Sequence, residues 1–586
     1  MRGSFLLGAC VAVGCAQPAP CPASPPCAAS VSPPAVASAA ASGAPAAPSS
    51  GLALLVRPIA TPVPLVHVEI AIDAPGLGTT WHVTRGAPDR VVHASARDAS
   101  GDLAVDVAAA AAGVDVHLSR APSGLVTLAY DVLAGDDAPD DPLGLLVLDD
   151  RFRGAGEKLV ALPAGVEDAR VPTYLRIDGE PLRASGAASS LGVGVTRRAT
   201  IQPRALRRAT FLAGSMGVQV IDDPGGGHDE GAWLGYTSFD PRPTIAELAQ
   251  VRSAMRDFFK SQLDAPWTYL LVSQTRPIGS FTTTPRSNSL LLQVGPGEAW
   301  SAWLRLSAAQ QLARIWIGGV LQVAPQPGQE AQTLLFTEGL SRYVATVLLA
   351  RVGLLSPDDV RDAVAGEISV VATSPHRALD AQHLAELALH DETARATLMA
   401  RVALYAMRES TAIRARSKGA RGLDTVLAGL VERAEQEKGR PLPVDVWQSA
   451  IIAEDPDATK TFDAYMNKGG AVSLPPDALG PCFRAGTGEY VAYDPGFDLE
   501  ATRVSREGRM VGVRAGGPAD KAGLRDDDVV ERMTARDGDA SVPVMISVVR
   551  GAKKFAVTYP PRGAHGQGQT WTRNKQLPDD KCGLPP

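Results

Sequence analysis

A basic excess is missing from this chain. Its 586 residues carry 57 Lys and Arg against 63 Asp and Glu, a net charge of -6, and nucleic-acid binders usually carry a basic footprint. No nucleic-acid partner is therefore expected. Long apolar runs are missing too after the first residues, which argues against an internal transmembrane helix. Cysteine is scarce: of six, Cys10, Cys15, Cys21 and Cys27 crowd the start, and only Cys482 and Cys582 lie in the body of the chain. An oxidising compartment would permit those two to pair; their spacing alone does not decide it. Neither Ser307 nor Ser341 has a Gly-x-Ser-x-Gly setting, so a serine hydrolase has no support. Gly225-Gly-Gly-His-Asp229 reads as a flexible turn, not a phosphate loop.

What is present starts with an export signal. Met1-Arg2 leads into a short apolar run, the pattern of a secretory signal over residues 1–15. It ends at Ala12-Val13-Gly14-Cys15, which resembles a bacterial lipobox with Cys15 as the lipidated residue; Leu7-Gly8-Ala9-Cys10 is a competing match. Residues 16–50 are dominated by Ala, Pro and Ser, too poor in bulky apolar side chains to offset their ordering entropy, and read as a tether. The expected location is the bacterial cell envelope, with a lipid anchor holding the chain to a membrane and the body facing the periplasm or the exterior.

Period-two alternation follows: Val66-His-Val-Glu-Ile-Ala-Ile72, Val114-Asp-Val-His-Leu118 and Leu125–Val132 predict an N-terminal β-sandwich over 51–180. His67, His93 and His117 sit on or beside these strands, without the tight spacing of a metal site. The period then changes. Ile245, Leu248, Val251, Met255 and Phe259 recur at helical spacing after Asp240-Pro-Arg-Pro-Thr244, a favourable helix start. Strands are expected over 267–272 and 289–293, a helix around Leu304–Trp316, and another from Leu334 to about Gly353. Further helices are expected over 357–366, 376–390, 394–416 and 423–438, so that 181–475 runs from α+β to all-α. His376, His383 and His390 recur every seven residues, a spacing of about 10 Å along a helix, too far for one ion. The overall class is α+β multidomain.

Two stretches carry the chemistry. Gln310-Gln311-Leu-Ala-Arg314-Ile-Trp316 keeps the frame of the zinc-protease pattern H-E-x-x-H-x-W with each reactive residue exchanged. In that pattern two His at i and i+4 bind zinc and the Glu activates water. Downstream lie Phe336-Thr-Glu-Gly-Leu-Ser-Arg-Tyr343 and Leu348–Asp358. Near the C-terminus, Gly496-Phe-Asp-Leu-Glu500 and Met510–Val530, with Gly517-Pro-Ala-x-x-Ala-Gly-Leu524, look like a PDZ domain, placed at 488–562 and followed by a polar tail over 563–586.

With Trp233–Asp240, these matches resemble the glycyl aminopeptidase family of gluzincin, thermolysin-like metallopeptidases with a C-terminal PDZ domain. The likeness spans roughly residues 60–560. It implies a thermolysin-like α+β peptidase domain running into a helical domain, and it makes Glu338 the position of the third zinc ligand. It also sets Gly279-Ser-Phe-Thr-Thr283 in the substrate loop, with Thr282 where a glutamate would anchor the substrate amine. The catalytic Tyr of the family should lie near 398–405; Tyr405 is out of register, and the role is not carried over. The departures decide the expected function. Gln310 and Arg314 replace the two His, and Gln311 replaces the general base. A guanidinium has no lone pair to donate in a protein, so zinc, implied by the resemblance, is expected to be lost and no other cofactor is expected. Arg314 is expected to sit in the vacated place and pair with Glu338 through a charge-assisted hydrogen bond.

The expected function is that of a pseudo-peptidase binding peptides or envelope proteins through the old cleft and through the PDZ-like loop Gly496, Phe497 and Asp498. The alternatives are an active metallo-aminopeptidase with a non-standard site and an envelope scaffold.

Overall fold

The computed structural model describes residues 51–582, apart from 74–75, 136, 138–140, 223–227, 237, 262, 264, 274–280, 326–330, 438–439, 506 and 537. The signal, both lipobox cysteines, the tether and part of the 279–283 loop lie outside the described residues.

The alternating segments do form strands. Leu65–Asp73 buries Val66, Val68, Ile70 and Ile72 on one face, as a period of two requires. It sits in a seven-stranded sheet, flanked by Gly51–Ile59 and Val126–Leu133. A four-stranded sheet, which includes Thr80–Val83 and Val114–Leu118, and a five-stranded one complete the region around one apolar core. One pair, Gly51–Ile59 with Val171–Ile177, is parallel. The expected boundary at 180 is too early. Gly186–Ser189, Thr196–Ile201 and Thr210–Gly214 belong to the same sheets, and the core continues to Ala213. Gly186-Ala-Ala-Ser189 is made of small residues and gives almost no hydrophobic alternation to read.

A second sheet follows in the order Met216–Asp222, His228–Leu234, Thr268–Ser273, Ser289–Val294, Phe281–Arg286. Its three inner strands are parallel and its edges antiparallel. Five long helices matter below. Helix α1 (Pro241–Phe259) starts at Asp240, whose side chain accepts the Arg242 N–H, and α2 (Ala302–Ala313) starts at Ser301, which accepts from Leu304; both are ordinary N-caps. Helix α3 (Gln332–Arg351) packs on α2. Helix α4 (Pro357–Thr373) opens on a Ser356–Asp359 capping box and runs past the expected end at 366. Helix α5 (Glu392–Arg416) packs on α3 and α4. The segment 376–390 is not one helix: His376 lies in a turn, and the helix there is only Ala381–Leu387, capped by Asp380. The seven-residue histidine stripe is therefore no helix face. Among the described residues no helix is long and apolar enough to cross a membrane.

The C-terminal part corrects the expected order of domains. Residues 563–573 are not a tail. Arg562–Arg573 pairs antiparallel with Phe483–Tyr493 in a two-stranded ribbon laid on α4. The strand comes this close because it lacks side chains: a Cβ on Gly566 would lie 2.3 Å from the Ala372 carbonyl oxygen, and one on Gly568 2.6 Å from Ile368 Cγ2. Between the two ribbon strands is inserted a small module. Its three-stranded sheet (Val529–Thr534, Val544–Arg550, Lys553–Tyr559) has its own core of Phe497, Met510, Leu524, Met533, Ile546 and Val548. Cys482 and Cys582, 100 positions apart in sequence, form a disulfide at the foot of the ribbon, with Cα atoms 5.1 Å apart.

Candidate functional site

Packing α2 against α3 brings the two chemistry-bearing stretches together. Gln310 and Gln311 lie in the last turn of α2 and Arg314 is its C-cap. At φ -68° and ψ -10° Arg314 is still helical, so its side chain follows Gln310 by one turn on the same face. Glu338 comes from the second turn of α3. Arg314 Nη2 stands 3.4 Å from Glu338 Oε1, and Arg314 Nη1 donates to Gln311 Oε1 at 3.3 Å. The expected partnership is present, but as an ion contact longer than the 2.7–2.9 Å typical of a charge-assisted hydrogen bond. The guanidinium is shared between a carboxylate and an amide. Gln310 is 6% exposed and Glu338 8%. The amide of Gln310 is turned to α5, with Nε2 3.1 Å from Met399 Sδ, a contact that nothing in the local pattern signals.

This donor set does not fit a zinc ion. Two of the three positions hold an amide directed at a thioether and a cation, and the one carboxylate already faces that cation. Zinc in catalytic sites takes three N, O or S donors with lone pairs. Among the described residues no group of three or more His, Cys, Asp or Glu is placed to hold a metal.

The burial of the pair is unequal, with consequences for stability. The Arg314 side chain is 34% exposed and that of Glu338 10%. Removing the carboxylate leaves a cation able to reach water; removing the cation leaves a carboxylate without compensation in a drier place. Glu338→Gln should therefore cost about 0.5–1 kcal/mol and Arg314→Met about 2 kcal/mol, measured by urea unfolding at neutral pH. The reverse order would show that the pair does not hold the two helices together.

Beside this cluster, Phe281–Arg286 is an end strand of the second sheet. Thr283 Oγ1 and Ser307 Oγ are hydrogen-bonded at 2.8 Å, which ties the edge to α2 one turn before Gln311. Thr282 is exposed on that strand; the neighbouring Thr283 is the residue turned to α2, and successive side chains of a strand point to opposite faces.

The other candidates separate from it. Tyr405 is wholly buried, with Trp447 and Phe462 ring centroids at 6.2 and 5.9 Å; burial holds its hydroxyl well above the usual tyrosine range. One turn on, Glu409 is also fully buried, and the Arg408 guanidinium and Thr461 hydroxyl both donate to the same oxygen, at 2.7 and 2.8 Å. Burial raises its pKa above the ordinary 4.5. A raised carboxyl stabilises the fold fully below the unfolded value and loses that contribution as pH rises through the folded one. Glu409→Gln should therefore gain on the wild type by about 1 kcal/mol between pH 4.5 and 8, followed by thermal unfolding at each pH. A gap that stays constant with pH would contradict this.

His67 and His93 each bond one oxygen of Asp131, at 2.8 and 2.9 Å, and His117 bonds Thr80 at 3.0 Å; these are strand-surface pairs. His376 bonds Asp391 at 3.1 Å and His383 bonds Asp380 at 2.6 Å. In the loop expected to hold a peptide carboxylate, Phe497 is 2% exposed within the small core. The Gly496 N–H donates to Asp494 Oδ1 at 2.7 Å, and the Asp498 N–H to the Val511 carbonyl at 2.9 Å. Asp498 also caps the short helix Leu499–Val504. Two of the three amides are engaged within the module, so the loop is not an open carboxylate cradle.

No family model matches the chain, and no curated protein does. Among solved structures it is similar to an aminopeptidase N family protein from Idiomarina loihiensis, with 15% identity and a TM-score of 0.63 over 91% of this chain and 100% of that one. An M1 zinc metallopeptidase from Deinococcus radiodurans overlays more loosely, with 16% identity and a TM-score of 0.44 over 72% of this chain and 93% of that one. The chain thus has an aminopeptidase-like fold, mixed α+β and multidomain. At such identity the likeness extends to the fold and not to the reaction.

Proposed function

We propose that this protein is a metallopeptidase-like protein that has lost its zinc and acts by binding peptides or envelope proteins. The observation that carries this reading is the position of Arg314: its guanidinium lies against the one carboxylate that a zinc ion would need. Without the metal there is no Lewis acid and no water activated at neutral pH, and Gln311 is not a base. What the cleft keeps is a means of holding an extended chain. The end strand Phe281–Arg286 is where a peptide would be laid alongside the sheet, a recurrent mode of peptide recognition. The small C-terminal module, PDZ-like by resemblance, takes part through surfaces other than residues 496–498.

The N-terminal signal supports a site of action in the cell envelope, with a lipid anchor at Cys15 and Cys10 as the competing position. Labelling with a radioactive fatty acid should mark the wild type and not Cys15→Ser; loss of label in Cys10→Ser instead would move the anchor. The central test is metal analysis of the purified chain with a peptide-library assay. Less than stoichiometric zinc, no cleavage, and saturable retention of library peptides are expected. Stoichiometric zinc or chelator-sensitive cleavage would overturn the reading in favour of an active aminopeptidase. Zinc-free protein that retains no peptide would make it a scaffold.

A further inference from the structure

The helical region and the ribbon enclose a half-open cavity of about 680 Å³, within the range of small-molecule sites. It shares no lining residue with the Gln310–Glu338 cluster. Its helix side is apolar: Ile368 and Val371 on α4 and Leu404 on α5, all under 9% exposed, with Val472 from the 469–473 loop. Its far side is the ribbon strand at Gly566–Gln569, where the close approach of Gly566 and Gly568 to α4 keeps side chains out. Gln569 closes the wall by bonding the Leu474 main chain twice, at 2.7 and 2.9 Å.

The charges at the rim are unequal. Glu489 is bonded to His565 at 3.0 Å on the ribbon. Arg377, which also lines the cavity, has one nitrogen on the Ser374 carbonyl at 3.1 Å and no carboxylate partner among the described residues. The turn that carries it is fixed from below: the guanidinium of Arg401, itself fully buried, donates to the carbonyls of Arg377 and Leu379. His376 in the same turn is tied to Asp391. A charge on a pinned turn at the mouth of an apolar chamber is pre-organised for an anionic head with an apolar body.

We propose that this cavity binds a small apolar carboxylate, its chain against Ile368, Val371, Leu404 and Val472 and its carboxylate on Arg377. That chemistry is shared by the C-terminal end of an apolar peptide and by a medium-chain fatty acid. The proposal stands apart from the reading of the zinc-like cluster.

The test is calorimetric titration of the full chain with octanoate and with N-acetyl-Ala-Ala-Leu, each against its uncharged counterpart, octanol and the peptide amide. Saturable one-to-one binding of at least one carboxylate is expected, with the uncharged counterpart weaker by about tenfold or more. Octanoate alone would identify a lipid source and the peptide alone a peptide source. Arg377→Gln should lower carboxylate affinity to that of the uncharged ligand and leave the latter unchanged. Val472→Trp should fill the chamber and abolish both, with the unfolding curve of each variant as the control for folding. The proposal is overturned if neither carboxylate saturates at millimolar concentration, or if a well-folded Arg377→Gln binds as the wild type does.

Discussion

Gln310→His and Arg314→His, made together, should give the chain a site that holds about one zinc ion. Neither substitution should do so alone. With Gln310→His the guanidinium remains against Glu338, and a cation in the metal position repels a second one. With Arg314→His the cation is gone, but only one imidazole and one carboxylate face the site. The double variant supplies two imidazoles at i and i+4 on one helix face and frees Glu338 from its ion contact, the two-His, one-Glu set of a catalytic zinc. The effect is thus expected to be strongly non-additive, as it is for residues that act as a unit. Zinc bound only by the folded state should also raise the melting temperature of the double variant and of neither single one; at a free concentration of 100 Kd the stabilisation is about 2.7 kcal/mol. Adding Gln311→Glu restores a base beside the metal, and chelator-sensitive hydrolysis of an aminoacyl substrate should then appear. Zinc bound stoichiometrically by the wild type would sink the argument from one side. A folded double variant that ignores zinc at ten-micromolar concentration (about that order, well above the dissociation constant of ordinary protein zinc sites) would sink it from the other, by showing that α2 and α3 do not converge as the ligands require.

The reason this site could be anticipated from sequence is that its parts are local. Gln310, Gln311 and Arg314 are one turn of one helix, and Glu338 lies 24 residues on from Arg314 in a helix whose apolar residues recur regularly. Two packed helices leave few ways for those residues to miss each other. Strands with clean alternation, such as Leu65–Asp73, were legible for the same reason. What escaped was set by distant partners. The turn of Gln310 to Met399 spans 89 residues and has no sequence signature. The ribbon strand Arg562–Arg573 looks like a solvated tail because its glycines carry no hydrophobic signal, yet those glycines are what let it lie on α4. The loop at 496–498 has the residues of a carboxylate cradle; only the partners of its amides, Asp494 and Val511, reveal that it is engaged within its own module.

Removing the Cys482–Cys582 disulfide should produce the largest loss of stability of any change short of truncation. The bond closes a 100-residue loop that contains the ribbon and the entire small module. Without it the denatured chain regains the freedom of that loop, which chain-entropy reasoning sets at about 4–5 kcal/mol for this length. The native state gains little in exchange, since both cysteines are buried, Cys482 at 0% and Cys582 at 2%, and two serines there would bring hydroxyls into an apolar setting. Urea unfolding of Cys482→Ser/Cys582→Ser should show a much lower midpoint, with a slope at least as steep as that of the wild type because the uncrosslinked denatured state is more open. Wild-type protein kept under reductant should follow the same curve. The loss should also be regional. The ribbon is held to α4 by close packing at Gly566 and Gly568, and at its foot this bond is joined by the Arg573–Asp358 ion pair and by Phe483 and Trp571, buried in the main core. Amide exchange in Phe483–Tyr493 and Arg562–Arg573 should accelerate by more than in the second sheet, while α2 and α3 keep their protection. If exchange rises uniformly instead, the ribbon is not a separate cooperative unit and the disulfide acts on the fold as a whole. Because the bond persists only where thiols are oxidised, a large loss would also tie the stability of the chain to an oxidising compartment.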